Sequence, residues 1–205
     1  AAFRTVRLGG GSPEVAYLPG WIGYVGYEVG RLVERLPGQA PRRSALPDLR
    51  LAFYDAILLY DTKEKTWRLV DLEYPREDEG ESAAEALLRI AGSASSRAPG
   101  EFTTADGAKR PDAAPNFAPQ AYREAVRRCI DYIAAGDIFQ VNLSQRFTVP
   151  CKAGPVTLYR ALRQRNPACY AAFMAFESQG SPCAVLSSSP ELFLRVRGRE
   201  VETRP

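Results

Sequence analysis

From Pro119 onward the apolar residues Tyr122, Val126, Cys129, Ile130 and Ile133 recur at helical spacing until Gly136, and from Phe139 the apolar period drops to two. This change of period constrains the fold strongly. A face repeating about every 3.6 residues packs as a helix, whereas one repeating every second residue packs as a strand. A proline in the first helical turn sacrifices no hydrogen bond, and a glycine readily takes the left-handed conformation that ends a helix. The pattern predicts a helix over 119–135 and then a strand over 139–149. On that strand Phe139, Val141, Leu143, Phe147 and Val149 share one face, and Gln140, Asn142, Ser144, Arg146 and Thr148 share the other.

The same two periods organise the rest of the chain. Residues 51–60 form a dense apolar run, followed by the polar turn Asp61-Thr62-Lys63-Glu64-Lys65 and a second run over 66–70, which predicts an antiparallel hairpin. Residues 77–90 read as a helix with acidic residues leading, where they suit the positive end of the helix dipole. Over 91–118 the composition shifts to Gly, Ser, Ala, Pro and charge without apolar period, the mark of a linker or mobile loop. A short helix is predicted over 155–165 and strands over 170–176, 183–187 and 192–196, with Arg197-Gly198-Arg199 turning back into Val201. The fold class is α+β, with mostly antiparallel sheets packed against helices and no internal repeat. Residues 1–90 and 119–205 are expected to belong to separate domains joined by 91–118.

Bulk properties exclude several function classes. At 205 residues and 45% hydrophobic content, the chain has an ordinary supply of core-forming residues. Its formal net charge of +3 is dispersed rather than gathered into a basic stripe, which sets nucleic acid aside as a partner. Cys129, Cys151, Cys169 and Cys183 form no CxxC pair and the chain has no histidine, which argues against a zinc site and a Cys–His nucleophile. With no signal peptide visible, free thiols in a reducing cytoplasm are expected. No apolar run approaches the ~20 residues of a membrane span, so no membrane partner is expected. Ala1 without an initiator Met, and Pro205 straight after a strand-like segment, read as the ends of a piece of a longer protein.

Three segments could carry chemistry. In GWIGYVGYEVG, Gly20, Gly23, Gly26 and Gly30 are interleaved with Trp21, Tyr24 and Tyr27. Neither phosphate-cradling spacing is present, so close approach of a strand or turn to another backbone is favoured over ligand binding. In GDIFQVNLSQRF, residues 136–147, the polar face could line a pocket or face water. In SSSPELF, residues 187–193, Ser-Pro-Glu is a turn bearing a carboxylate, which serves either as a cap at the start of a strand or as an acid.

These segments occur in the order found in a known family. AGDIFQVNLSQRF after an amphipathic helix closely resembles the opening of the chorismate-binding domain shared by anthranilate synthase, aminodeoxychorismate synthase and isochorismate synthase. The SPELF…ETRP end resembles that family's SPE(L/R)F…ETRPIKGT. The Gly/aromatic segment, LPDLRLAFYD over 46–55 and NPACY over 166–170 extend the resemblance along nearly the whole chain. Within the family, Asn142 is more like aminodeoxychorismate synthase, because anthranilate synthases often carry an apolar residue there.

The resemblance implies the chorismate-binding enzyme fold and a role as component I of aminodeoxychorismate synthase, making 4-amino-4-deoxychorismate for p-aminobenzoate and folate. Anthranilate synthase component I and a non-catalytic binding or scaffold module are the alternatives. It further implies that Glu191 protonates the departing ring hydroxyl while a lysine two positions past Pro205 attacks the ring. Such an acid needs a desolvated site near neutral pH, and apolar Leu192 and Phe193 beside it fit that need. Mg2+ is implied, with its acidic ligands expected past Pro205, as is ammonia from a separate glutamine amidotransferase subunit. The family's tryptophan pocket uses an NPxPY-like stretch in which this chain has Cys169 in place of the second proline.

Overall fold

A computed structural model describes residues 3–7, 17–37, 46–74, 80–93 and 112–205. In chain order its elements are β1 (Phe3–Arg7), β2 (Gly20–Val25), α1 (Gly30–Val33), β3 (Leu49–Tyr54), β4 (Ala56–Asp61), β5 (Thr66–Asp71) and α2 (Ala83–Ser93). There follow β6 (Ala114–Pro115), α3 (Pro119–Ala135), β7 (Phe147–Thr148), α4 (Pro155–Arg165), β8 (Ala172–Ser178), β9 (Ser181–Ser187), β10 (Leu192–Arg197) and β11 (Glu200–Arg204). All but one of the strand pairings are antiparallel, and the α+β class expected from the periodicities is the one observed. Two compact units emerge. One takes the chain to Pro99 together with Ala172–Ser187, and the other takes Gly100–Ala171 together with Ser188–Pro205.

In the first unit the hairpin around 61–65 is present as β4 and β5, but the apolar run before it breaks at Asp55 because its two halves serve different sheets. β3 pairs with β2, whereas β4 joins β5 in a sheet ordered β1-β5-β4, with β1 parallel to β5. At the break, the Asp55 carbonyl accepts the Leu72 amide at 2.8 Å, and Tyr74 donates its hydroxyl to Asp55 Oδ2 at 2.9 Å. The turn is fixed by Asp61, whose Oδ1 accepts the amides of Lys63 at 2.9 Å and Glu64 at 3.0 Å. Those amides hold the Asp61 carboxyl below the usual carboxylate range.

The core of this unit sits between the sheet and α2, where Ala56, Leu69 and Ala84 are buried and Leu58, Ala83 and Leu87 pack against them. Burial of a leucine side chain such as Leu69 contributes about 1.5–3 kcal/mol. The expected start at 77 lies outside the described residues; the helix begins at Ala83, where a reciprocal cap sets its start. Ser82 donates its amide to Glu85 Oε2 at 2.8 Å, and Glu85 donates its amide to Ser82 Oγ at 3.1 Å. Glu81 lies just before the cap and receives two hydrogen bonds from Arg89, at 2.8 and 3.0 Å, which hold its carboxyl below the usual range.

The glycines of β2 act in packing, as their spacing implied. A Cβ on Gly23 would overlap the Arg50 carbonyl of β3, and one on Gly26 would lie 2.9 Å from the Asp48 carbonyl oxygen. With those positions bare, β2 and β3 form a ladder from Gly20↔Tyr54 to Val25↔Leu49, with Trp21 edge-on to Phe53 at 5.4 Å. Tyr24 and Arg50 both meet Phe176 of β8, and β8 with β9 forms a hairpin turned by Gln179 and Gly180, both at positive φ.

The second unit contains α3 and α4 where the sequence puts them. Pro119 lies in the first turn of α3, and Gly136 closes it at φ 81° with its amide on the Ile133 and Tyr132 carbonyls. The strand expected over 139–149 is reduced to Phe147–Thr148. A period of two marks two faces, but a strand also needs a neighbour for its ladder. Among the described residues only Ala114–Pro115 pairs with it, and Pro115 has no amide to donate. Phe139 is consequently 91% exposed. Most of the predicted linker, 94–111, lies outside the described residues; α2 extends to Ser93 before it and β6 follows it. All four cysteines are free thiols, and no described helix is long and apolar enough to cross a membrane.

Two glycine substitutions should have opposite signs. Gly23→Ala is expected to destabilise by about 1–3 kcal/mol through overpacking against the Arg50 carbonyl. Gly92→Ala, in α2 with open space around it, should stabilise by about 0.5–1 kcal/mol. Urea unfolding of the two variants checks both. For Asp61, whose carboxyl is held low, the contribution to stability is present at neutral pH and is lost as pH falls below the ordinary Asp range through the folded-state value. An NMR titration of Asp61 and unfolding midpoints between about pH 6 and 2 should show this, and Asp61→Asn should flatten the dependence.

Candidate active site

Three segments of the second unit meet at the entrance to the β10–β11 hairpin. The first is Asn166–Tyr170, which follows α4; the second is Ser188–Glu191, which leads into β10; the third is β11. Ser188 donates its hydroxyl to the Asn166 carbonyl at 2.8 Å, and Tyr170 donates its amide to the Ser189 carbonyl at 3.0 Å. Ser189 folds the turn locally. Its Oγ donates to the Glu191 carbonyl at 3.1 Å and accepts the Glu191 amide at 3.3 Å. A backbone with few angular options through Pro190 thus delivers Glu191 at a fixed place beside the exit of α4.

The β11 strand closes the group. Leu192 stands opposite Arg204 in the ladder, and Thr203 donates its hydroxyl to the Leu192 carbonyl at 3.1 Å. Glu202 lies between two guanidinium groups, with Arg195 Nη1 at 3.4 Å from Oε2 and Arg204 hydrogen-bonded to Oε1. The Glu202 carboxylate, with a smaller contribution from the Tyr170 hydroxyl, raises the Arg204 guanidinium above its ordinary value. Arg204 therefore links the end of β11 to the same Tyr170 whose amide holds Ser189. The three motifs quoted from the sequence, NPACY, SPELF and ETRP, form one physical unit.

One expectation needs correction, and one open alternative falls to the solvent-facing side. Glu191 is exposed and Phe193 is 85% exposed, so the residues next to Glu191 in sequence do not desolvate it. The β10–β11 register is irregular between Leu192 and Arg195, which leaves Phe193 in solvent instead of over the carboxylate. In the GDIFQVNLSQRF segment, Gln140, Asn142, Ser144, Arg146 and Thr148 are all exposed. The hydrogen bonds of its far end go to Asn116, which accepts the Arg146 amide on Oδ1 at 2.7 Å and donates its own amide to the Arg146 carbonyl at 2.9 Å. Sequence reasoning missed Ser188 and Asn116. The run of three serines was the only signal for the first, and nothing local marked the second. Among the described residues no group of three or more His, Cys, Asp or Glu could hold a metal ion.

Comparison with known proteins agrees with this convergence of motifs. A family model described as chorismate binding enzyme matches residues 4–205. Anthranilate synthase component 1 of Thermus thermophilus is 39% identical over 192 residues, covering 92% of this chain and 39% of that protein. Aminodeoxychorismate synthase component 1 of Klebsiella aerogenes is 32% identical over 194 residues, covering 94% of this chain and 39% of that protein. The crystal structure of anthranilate synthase component I from Streptococcus pneumoniae superposes with a TM-score of 0.67 at 25% identity, over 94% of this chain and 43% of that one. The chain thus spans about two fifths of the length of these relatives.

Replacing Glu202 by Gln should remove the charge bridging Arg195 and Arg204 and cause a small loss of stability at low salt. Because the Arg204 contact is exposed and the Arg195 contact only half-buried, the loss should shrink as salt approaches 1 M, where the screening length is about 3 Å. Urea unfolding of wild type and Glu202→Gln at low and high NaCl checks this; a salt-independent difference would contradict it.

Proposed function

We propose, for a chain that belongs to the chorismate-binding enzyme family, a part in the amination of chorismate as a portion of a component I synthase. In this reading residues 119–205 open the catalytic domain, 1–90 belong to the amino-terminal domain, and the substrate meets the Ser188–Glu191 turn. The observation supporting it is the joining of the SPE and ETRP motifs through Ser188, Tyr170 and Arg204 within a chain that matches the family along almost its whole length.

The chemistry sets the requirements. Replacing the ring hydroxyl of chorismate by an amino group breaks a carbon–oxygen bond, and hydroxide is a poor leaving group unless protonated. Glu191 is the proton donor in this reading. The hydroxyl leaves as water, a lysine beyond Pro205 attacks the ring, ammonia then enters and the lysine departs, giving 4-amino-4-deoxychorismate overall from chorismate and ammonia with loss of water. Since Glu191 is exposed among these residues, its desolvation depends on the substrate or on parts of the enzyme other than those described. The Mg2+ implied by family resemblance has no ligand set here, and no step is routed through it. In this reading ammonia comes from a glutamine amidotransferase subunit, and these 205 residues, without histidine, do not themselves offer a Cys–His glutaminase.

Asn142 favours aminodeoxychorismate synthase over anthranilate synthase. The second reading, anthranilate synthase component I, is favoured by the higher identity to the Thermus relative, 39% against 32%. Incubating the full-length protein that carries this chain with chorismate, ammonium and Mg2+ separates the two. Formation of 4-amino-4-deoxychorismate without pyruvate supports the first, whereas fluorescent anthranilate with an equivalent of pyruvate supports the second. Glu191→Gln should lower turnover by about 100-fold or more with the fold retained, the scale expected for loss of a general acid. Undiminished turnover would remove Glu191 from the mechanism.

A further inference from the structure

We propose that Ser188 is a positioning residue for Glu191, acting through its hydroxyl tether to the Asn166 carbonyl; the inference rests on the reading of Glu191 as proton donor. Of the contacts that hold the Ser-Pro-Glu turn, the Tyr170 amide to Ser189 carbonyl bond lies wholly in the backbone, and the Ser189 contacts are internal to the turn. Among the described residues, Ser188 is the one that uses a side chain to fasten the turn to a distant segment, reaching across 22 positions of sequence at 2.8 Å. Its anchor is well placed, because Asn166 caps the end of α4 and its own amide is held by the Leu162 carbonyl at 2.8 Å. Ala161, one residue before that carbonyl, is the one buried residue of α4. The tether therefore joins a turn carrying an exposed carboxyl to the C-terminal end of α4.

The consequence is specific. A proton donor displaced by about an ångström loses much of its catalytic effect while the substrate still binds. Removing the hydroxyl should therefore act on turnover and leave substrate binding and the acid's identity untouched.

The experiment measures kcat, KM, the pH profile of kcat and amide exchange at Tyr170 in the full-length protein, for Ser188→Ala, Ser188→Thr, Ser188→Cys and Glu191→Gln. Ser188→Ala is expected to lower kcat per folded enzyme by about ten- to hundredfold, with KM within about twofold and a pH profile of unchanged shape. Tyr170 amide exchange should quicken in the same variant. Ser188→Thr keeps the hydroxyl and should restore both. If Ser188→Ala does not fold, Ser188→Cys, whose thiol is a weak donor, decides: reduced kcat supports the tether and wild-type kcat overturns it. Unchanged kcat in Ser188→Ala beside an inactive Glu191→Gln overturns the positioning role and leaves the proton donor intact. An active Glu191→Gln overturns the proton-donor reading itself and this inference with it.

Discussion

The hydrogen bond from the Tyr170 amide to the Ser189 carbonyl is the contact on which the site depends. It closes the root of the β8–β9 hairpin, so the chain that leaves after Tyr170 returns to the same place before entering β10. Without that closure, Ser188 would have no fixed reach to Asn166, and the turn carrying Glu191 would be free to wander. A backbone-to-backbone bond is well suited to the task, because it is indifferent to which side chains occupy the two positions. The side chains then refine what the backbone has closed: Ser188 ties the turn to α4, and Arg204 brings Glu202 and Tyr170 together.

How legible all this was in the sequence depended on the range of the forces involved. Helix α3 was read to its last residue, because Pro119, the apolar stripe and Gly136 are local signals and the structure uses each of them locally. The hairpin turn at 61–65 and the bare positions Gly23 and Gly26 were legible for the same reason. The expected strand over 139–149 failed because alternation describes a strand's faces and says nothing about whether a neighbour exists to complete its ladder. Likewise, adjacency in sequence to Leu192 and Phe193 does not cover Glu191 among the described residues, where Phe193 is exposed. Only family resemblance linked NPACY to SPELF before the structure, since no period or propensity joins segments that far apart.

The comparisons place the chain among chorismate-binding enzymes and leave the choice of ring position to chemistry. This fits what the fold provides. The Ser188–Glu191 turn presents a carboxyl group, a feature useful to any reaction in which a ring oxygen departs. Asn142, the residue whose identity leans toward one product, sits exposed in a segment bound to Asn116.

The hairpin of β8 and β9 has a mechanical consequence. Residues on either side of it belong to one compact unit while the hairpin itself belongs to the other. A single scission anywhere in the backbone therefore cannot release either unit whole, and grafting one unit from a homologue would need more than one crossover. Both ends of the hairpin therefore re-enter the unit that carries the Glu191 turn.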